Sequence, residues 1–386
     1  MTELELRGIT WDHERGIGGL RAAATAYAQR RPDVRVEWTV RSLQAFADQP
    51  LDELARRFDL LYVDHPSIGA AVAAECLEPL DRHLDPAVVD EQVASGVGRS
   101  AESYVWEGHR WALATDVAAQ VAAYRKGLIE RAGLGVPRTW PEVLETATAL
   151  RRQGMWLAIP VDAICAFLAL CVALGEEPFA EPGRVVSVET GREALHLLAA
   201  VVSRAHPSSL EWNPPAVLER MASTDEIAYC PLAFGYSNYA RPGFRPRVVR
   251  AVPPPAGDDG VPRGTLGGAG LAVSSASRSV EAAAEFAAFV ARPEIQRGPY
   301  FEGGGQPGHR TAWTDPSVNA SSSGFFRDTL DAVEAAYLRP RYDGVLGFQD
   351  AAGALVHAFV RDPSDPERTL SRIEDAHRAS LASRSA

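Results

Sequence analysis

Strand and helix patterns alternate along the N-terminal part of this sequence, and this alternation restricts the fold more than any other feature. The strand patterns cover residues 3–10, 34–40 and 58–63, and the helix patterns cover residues 17–27, 43–57 and 68–76. Strands that alternate with helices form mainly parallel sheets with helices on both faces. The sequence therefore predicts an α/β fold built on such sheets.

Length and composition set the number of domains. The chain has 386 residues, of which 46% are hydrophobic. This length exceeds what one hydrophobic core usually supports, and the apolar content is sufficient for two cores of ordinary size. We therefore predict a protein of two lobes.

Charge and hydropathy indicate which kinds of binding partner and which cellular compartment this sequence is compatible with. The net charge of -11 and the scattered arginines argue against a nucleic-acid partner. The longest apolar run, residues 163–174, is too short to cross a bilayer. Six charged residues interrupt the first fifteen positions, so no export signal is recognisable and the chain as written is expected to be cytoplasmic. A periplasmic or extracellular location is the alternative if a leader has been removed.

Two loops follow predicted strands, and each contains an Asp-His pair. The first loop holds Trp11, Asp12 and His13, and the second opens with Asp64 and His65. Because the carboxyl ends of parallel strands meet at one edge of a sheet, we expect these side chains to lie together at a ligand site. The alternatives are that Trp11 belongs to the core and that Asp64 only caps a helix.

Later segments extend the same pattern. Residues 110–116 read as a strand that crosses to the second lobe, and residues 121–133 read as a helix. Residues 264–273 form a glycine-rich strand, and residues 302–323 read as a loop. The four cysteines contain no CxxC pairing, which predicts reduced, structural thiols.

Three segments in order resemble the extracellular solute-binding proteins of family 1, the sugar-type receptors of ABC importers. They are FDLLYVDHPSIGAAVAAECLEPLD (58–81), the passage from WEGHRWALATD to TWPEVLETATAL (106–150), and GTLGGAGLAVSSASRSVEAAAEFAAFVARPEIQ (264–296). The resemblance covers about residues 4–360. It implies a type II periplasmic-binding-protein-like fold, in which two lobes close around a small polar ligand in the cleft between them.

The resemblance also implies lobe boundaries and further ligand contacts. Lobe one would comprise residues 1–113 and 262–312, and lobe two residues 114–261 and 313–386. Asp116 matches a family position where an acidic residue often faces the ligand. Phe234, Tyr236 and Tyr239 match the family's aromatic segment after a strand, although three aromatics can equally cover a lobe surface.

Two other features suggest ligand contacts on chemical grounds. Gly267 and Gly268 permit close approach of the backbone, whose N–H groups can donate to a ligand, or else they serve a tight crossover. Arg310 can bind a carboxylate or phosphate through two parallel hydrogen bonds, or else it is a surface arginine. No HExxH or CxxC spacing indicates a metal, and no cofactor is expected.

Two functions remain open from the sequence. The first is a receptor for a carbohydrate or related polar metabolite, with an ABC permease as partner if the protein is exported. The alternative is a cytoplasmic enzyme that uses His13, His65, Asp12 and Asp64 as general acids and bases. Two departures from the family leave both open: no export signal is visible, and Arg125 follows Tyr124 where many sugar receptors carry an asparagine.

Overall fold

The fold is described from a computed structural model, which covers residues 4–160, 164–257 and 259–382. The chain divides into two units. Unit 1 comprises Met1–Ala118, Gly267–Ala320 and Arg341–Asp343, and unit 2 comprises Ala119–Leu266, Ser321–Pro340 and Gly344–Ala386. The expected lobe boundaries at 113/114 and 261/262 lie five residues before the chain's own crossings at 118/119 and 266/267.

The described strands range in length from two residues to the twelve of β6. They are β1 Leu4–Trp11, β2 Val34–Arg41, β3 Leu60–Val63, β4 Val105–Trp106, β5 His109–Arg110, β6 Leu113–Tyr124, β7 Trp156–Leu157, β8 Ile227–Phe234, β9 Arg250–Val252 and β10 Leu266–Val273.

Helices make up most of the remaining described chain. In the first half they are α1 Glu14–Arg30, α2 Leu43–Asp48, α3 Leu51–Ala55, α4 Ile68–Ala73, α5 Pro86–Ser95, α6 Ser100–Ser103, α7 Lys126–Arg131, α8 Trp140–Arg152 and α9 Cys165–Ala173. In the second half they are α10 Val188–Val202, α11 Pro214–Ser223, α12 Val280–Ala291, α13 Pro293–Ile295, α14 Arg310–Thr314, α15 Pro316–Ser321, α16 Phe325–Glu334, α17 Val345–Arg361 and α18 Pro366–Ala382.

Unit 1 contains the strand–helix alternation that the sequence predicts. β1 pairs in parallel with β2 on one side and with β3 on the other. β10 adds to the far edge of β3 in antiparallel orientation. The core forms where α1 and α12 cover these strands and bury side chains such as Leu6, Tyr27 and Phe286. The α/β fold class is confirmed.

Unit 2 has its own core. β6 pairs with β8 and with β9 in antiparallel orientation, and β7 pairs in parallel with β8. α11 packs against this sheet through Leu218 and Met221, which lie with Ala233 and Val249 in one buried cluster. Thr139 caps α8 by accepting from the Glu142 amide, and proline occupies the first turn of that helix, as the sequence predicts.

One helix expectation is wrong. Residues 121–124 of the predicted 121–133 helix belong to β6, and α7 spans only Lys126–Arg131. The segment Leu113–Ala123 is buried along its whole length, and its unit 2 part pairs with β8 and β9. An alanine-rich run has no period that separates a buried strand from a helix, so pairing decides the outcome.

Two other expectations are corrected by local chemistry. The predicted 43–57 helix is split into α2 and α3, because Pro50 lacks the amide hydrogen that a continuous helix needs. The predicted 302–323 loop contains α14 and α15. α14 begins where the His309 side chain accepts from the Thr311 amide, a capping signal that the sequence reading did not weigh.

The cysteines support a first prediction. All four are buried and none of these described residues forms a disulfide bond, and burial raises the pKa of Cys76 to about 11 and that of Cys230 to about 12. Because the thiolate is the reactive form, we expect negligible alkylation by iodoacetamide at pH 8 in the native protein and four labels per chain in 6 M guanidinium. Mass spectrometry counts the labels, and rapid native labelling of Cys230 would contradict this placement.

Among the described helices, none has both the length and the apolar character that a bilayer crossing requires.

Candidate ligand-binding site

The predicted site residues of unit 1 surround a buried ion pair. Arg15 lies in the first turn of α1 and Asp116 lies in β6, 101 positions later in the sequence. The Arg15 Nε donates to Asp116 Oδ2 at 2.9 Å, and a second hydrogen bond joins Arg15 Nη2 to Asp116 Oδ1. Both side chains are almost fully excluded from solvent, with 5% and 0% exposed. Arg15 was not among the site residues predicted from the sequence.

The environment of Asp116 balances opposing effects. Burial raises the pKa of this carboxyl group, and the adjacent Arg15 guanidinium opposes the rise. Asp64 lies near enough to raise the pKa of Asp116 slightly further. The carboxylate oxygens of Asp116 are therefore directed at Arg15 within unit 1.

A network of hydroxyl groups lies beside this ion pair. The phenol oxygens of Tyr62 and Tyr300 are 2.7 Å apart, and the Thr115 hydroxyl donates to Tyr62 at 3.0 Å. Burial and the nearby Asp116 charge raise the pKa of both tyrosines, which keeps the phenols neutral. The network and the ion pair fix the start of β6 to β3 and α1.

Trp11 belongs to the core of unit 1. It is 3% exposed, and its ring stacks on Tyr62 with centroids 5.6 Å apart. Phe46 packs against it at 4.8 Å, and the ring also lies over Gly16, where a Cβ atom would approach to 2.5 Å. This is the core alternative that the sequence left open, and it leaves little ring surface for a ligand.

The other two predicted residues of the first loop, Asp12 and His13, have different environments. His13 is the N-terminal cap of α1, and its Nδ1 accepts from the Arg15 amide at 3.0 Å. Asp12 is exposed, and its amide donates to the carbonyl of Arg41 at 2.7 Å. Asp12 is therefore the residue of this loop whose carboxylate is most open to a ligand.

The second loop forms a 3₁₀ turn, His65–Ser67. Asp64 caps it by accepting from the His65 amide at 2.9 Å, which is the capping alternative weighed from the sequence. The Asp64 carboxylate also lies 3.1 Å from His65 Nδ1. His65 is 1% exposed and packs edge-on to Tyr104. Asp64 keeps partial exposure, whereas His65 is interior.

The two glycines lie within β10. Gly268 has a φ of +123°, and a Cβ atom there would lie 2.4 Å from the Asp116 carbonyl oxygen. The glycine is therefore required by the close approach of two strands inside unit 1, which is the tight-crossover alternative. Gly267 is buried in the same strand.

Arg310 begins α14 and is partly buried. One of its terminal nitrogens donates to the Gly96 carbonyl at 3.2 Å. His309, one residue earlier, is buried and lies 2.9 Å from the Glu91 carboxylate through Nε2. These contacts join α14 to the end of α5. The role of Arg310 in binding a carboxylate or phosphate stays a prediction.

In unit 2 the predicted aromatic residues gather around one pocket. Tyr236 and Tyr239 are 6% and 3% exposed and belong to the core cluster, whereas Phe234 is partly exposed. The Tyr239 hydroxyl donates to the Pro215 carbonyl at 3.4 Å, and burial together with Glu219 raises the pKa of this phenol. Phe234 is thus the least buried of the three, and the guanidinium carbon of Arg339 lies over its ring at 5.9 Å from the centroid.

The pocket also contains residues that the sequence reading missed. It is lined by Val121, Ala123, Leu218, Ala233, Phe234, Gly235, Tyr236, Tyr239, Val249, Arg250, Ala251 and Phe325. Arg250 donates to the Ser323 carbonyl, and Phe325 lies so near Gly235 that a Cβ atom there would be 2.9 Å from its ring. Phe325 comes 91 positions after Phe234, so no local pattern could place them together.

Residues 22–307 match the family described as bacterial extracellular solute-binding proteins, and this match covers more than half of the chain. The chain belongs to this family. The family resemblance stated from three sequence segments is confirmed. Because the family is extracellular by description, the cytoplasmic location expected from the charged N-terminal residues is not supported.

Solved structures place this solute-binding protein in the MalE-like fold. Maltose-bound MalE3 of T. maritima superposes with a TM-score of 0.82 at 20% identity, covering 96% of this chain and 98% of that one. The GacH receptor of Streptomyces glaucescens, solved unliganded and with acarbose, gives 0.82 at 18% identity and 99% coverage of both chains. A ribitol-bound solute-binding protein of Agrobacterium radiobacter K84 gives 0.80 at 19% identity, covering 97% and 98%. At these identities the likeness establishes the two-lobed fold.

Proposed function

We propose that this solute-binding protein is a receptor for a carbohydrate or related polyol, with Phe234 as the principal apolar contact. The observation that carries the proposal is the aromatic cluster at the end of β8 in unit 2, where a partly exposed Phe234 lies with Tyr236 and Tyr239 and which Phe325 and Arg250 also line. Sugars present C–H faces that pack on aromatic rings and hydroxyl edges that need hydrogen bonds. A mainly apolar wall with few polar groups suits such a ligand.

Unit 1 carries exposed acidic groups of its own that suit hydroxyl ligands. Asp12 is exposed, and Asp64 retains 31% exposure of its side chain. Both lie at the ends of parallel strands, where α/β sheets bind ligands. Carboxylates accept only, so they match hydroxyl donors. Asp116 has a supporting role, because Arg15 already occupies its oxygens.

The relatives are consistent with this ligand class. Those with solved structures hold maltose, ribitol and acarbose, and a further one from Agrobacterium vitis S4 holds D-mannitol at 15% identity. All of these ligands are neutral or basic polyhydroxy compounds. The proposal extends their class to this chain and leaves the particular sugar to be measured.

Three of the four acid–base residues of the alternative function are capping or interior residues. His13 Nδ1 and the Asp64 carboxylate both accept backbone amides at helix starts, and His65 is interior. We therefore retain the receptor function. Its proposed partner is an ABC permease, to which the protein would deliver its ligand from outside the cytoplasm.

A binding experiment tests the ligand class. Maltose, ribitol and D-mannitol are titrated into the protein in a calorimeter, and the variant Phe234→Ala is expected to lose about tenfold or more in affinity for whichever binds, since a stacked aromatic contact is typically a dominant one. Phe179→Ala is the matched control, because Phe179 is a partly buried phenylalanine of unit 2 outside the pocket. Equal losses in both variants, or no heat with any polyol, would reject the proposal.

A transport experiment tests the partner. In the native host, deletion of the coding gene should abolish uptake of the sugar identified above, and the wild-type gene should restore it. Uptake that continues unchanged, or recovery of the native protein only from the cytoplasmic fraction, would show that delivery to a permease is not its task.

A further inference from the structure

Arg41 is a buried guanidinium at the end of β2 that the predicted site did not include. It is 9% exposed, and its Nη1 donates to the Ala45 carbonyl at 3.1 Å. The Nε and Nη2 atoms are fully buried and have no hydrogen-bond partner among the residues that the structure describes. A buried donor without an acceptor costs free energy, so two such donors on one side chain indicate a missing acceptor.

The charge of Arg41 is also uncompensated. Among the described residues no acidic side chain pairs with it, and burial alone lowers its pKa to about 10. Arg15 provides the contrast within the same unit, because it is buried to a similar degree and is matched by Asp116. A buried cation without a counter-ion is unusual in a folded protein.

A third unpartnered donor lies beside the guanidinium. Trp11 is the register partner of Arg41, and these residues end β1 and β2. Phe46 contacts both, with its ring 4.8 Å from that of Trp11 and 5.3 Å from the Arg41 guanidinium carbon. The Trp11 Nε1 is buried and has no partner. Three N–H donors and one positive charge therefore lie at one end of two parallel strands.

An anion meets every requirement of this cluster. A water molecule can accept hydrogen bonds from the donors, but it leaves the charge uncompensated in an apolar setting. A carboxylate or phosphate accepts two parallel bonds from a guanidinium and neutralises it. Carboxyl ends of parallel strands are also where such sheets bind ligands.

We infer that Arg41, assisted by Trp11 Nε1, binds a carboxylate or phosphate group carried by the ligand. The ligand class becomes that of acidic sugars, such as uronic acids or sugar phosphates. This inference rests on the proposed carbohydrate receptor for the sugar part, whereas the anion site itself rests on unit 1 alone.

Thermal melting in inorganic phosphate and in acetate tests the anion site without any sugar. Ionic strength is held constant with sodium chloride, and the melting temperature is followed to saturation, because a ligand that binds only the native state stabilises it in proportion to its occupancy. We expect a saturating rise for the wild type in at least one anion. Arg41→Met should shift the apparent dissociation constant at least tenfold, and Arg35→Met should leave it unchanged.

The control is matched in position and chemistry. Arg35 lies on the same strand, is 58% exposed and pairs with Glu37. Arg41→Gln, which keeps one polar donor group, serves if the methionine variant does not fold. A saturating response lost only in the Arg41 variants supports the site. A flat wild-type response in both anions, or an equal response in all variants, overturns it.

Paired titrations distinguish a carboxylate from a phosphate as the anionic group of the ligand. They also test the anion site separately from the carbohydrate receptor. D-Glucuronate and D-glucose 6-phosphate are compared with D-glucose, and tighter binding of one acid than of the neutral sugar, lost in Arg41→Met, identifies the group. Saturation by phosphate with no polyol or sugar bound would reject the receptor proposal and keep the anion site. Sugar binding that is indifferent to Arg41→Met would reject the anion site and keep the receptor.

Discussion

Replacing Arg15 with alanine is expected to lower the free energy of unfolding by about 3–5 kcal/mol. The substitution removes two hydrogen bonds to Asp116 and leaves a fully buried carboxylate without its counter-ion. The cost arises mainly from that stranded charge, since an ion pair in the interior contributes little beyond its own desolvation. Urea unfolding at pH 7 measures the difference.

Two variants separate the stranded charge from the loss of a side chain. Arg56→Ala removes an exposed ion pair with Asp52 and should cost under about 1 kcal/mol. The double variant Arg15→Met with Asp116→Leu removes both charges and should recover much of the loss. A double variant as unstable as Arg15→Ala would show that packing dominates.

The deficit of Arg15→Ala should also depend on pH. Burial raises the pKa of Asp116, and Arg15 opposes this rise, so its removal moves the folded-state pKa further above the unfolded value. A raised folded-state pKa stabilises the protonated protein at low pH, and this stabilisation is lost as the pH rises through that pKa. The deficit should therefore be smaller at pH 4.5 than at pH 8. A deficit that grows on acidification would contradict this assignment.

Replacing Gly268 with alanine is the second large effect that we expect, a loss of about 2–5 kcal/mol in unfolding free energy. The residue has a φ of +123°, and the new Cβ would lie 2.4 Å from the Asp116 carbonyl oxygen and 3.0 Å from Val117 Cα. Both obstacles are backbone atoms, so no side-chain rotation relieves them. The backbone strain of the positive φ and the steric overlap of the new Cβ therefore both destabilise the variant.

Gly127→Ala is the control for this substitution. Gly127 lies in α7, and a Cβ atom there meets no other atom within 4 Å. Alanine favours helices over glycine by up to about 1 kcal/mol, so this variant should be equal to or more stable than the wild type. Chemical unfolding measures the free energy of unfolding of both variants. A Gly268→Ala protein of wild-type stability would show that β10 can move away from β6.

Local chemistry made much of the fold predictable from the sequence. The helix over 17–27 and the strands over 34–40 and 58–63 carry periodic patterns with clear ends, and the structure places elements there. Asp64 was weighed as a cap, because a short polar side chain before a helix accepts amides that lie within a few residues. Such signals need no knowledge of the rest of the chain.

The candidate site was predicted less well, because its partners are distant in sequence. Asp116 was named, but its partner Arg15 lies 101 positions away, and nothing around either residue reveals the other. The same holds for Phe325 in the pocket of Phe234. The packing of the Trp11 ring against Tyr62 and Phe46 could likewise not be foreseen from its position at a strand end.

The sequence by itself determined the alternation of strands and helices, the family and the two-lobed organisation, since these follow from periodicity and from motifs in order. Tertiary structure decided whether Val121–Tyr124 continues a strand, which charges are buried together and which glycines are obligatory. The physical reason is that hydrogen bonding between strands, desolvation of charge and steric overlap all depend on segments that meet only after folding. Arg41 belongs to the same class, because its missing acceptor becomes visible only when the chain around it is packed.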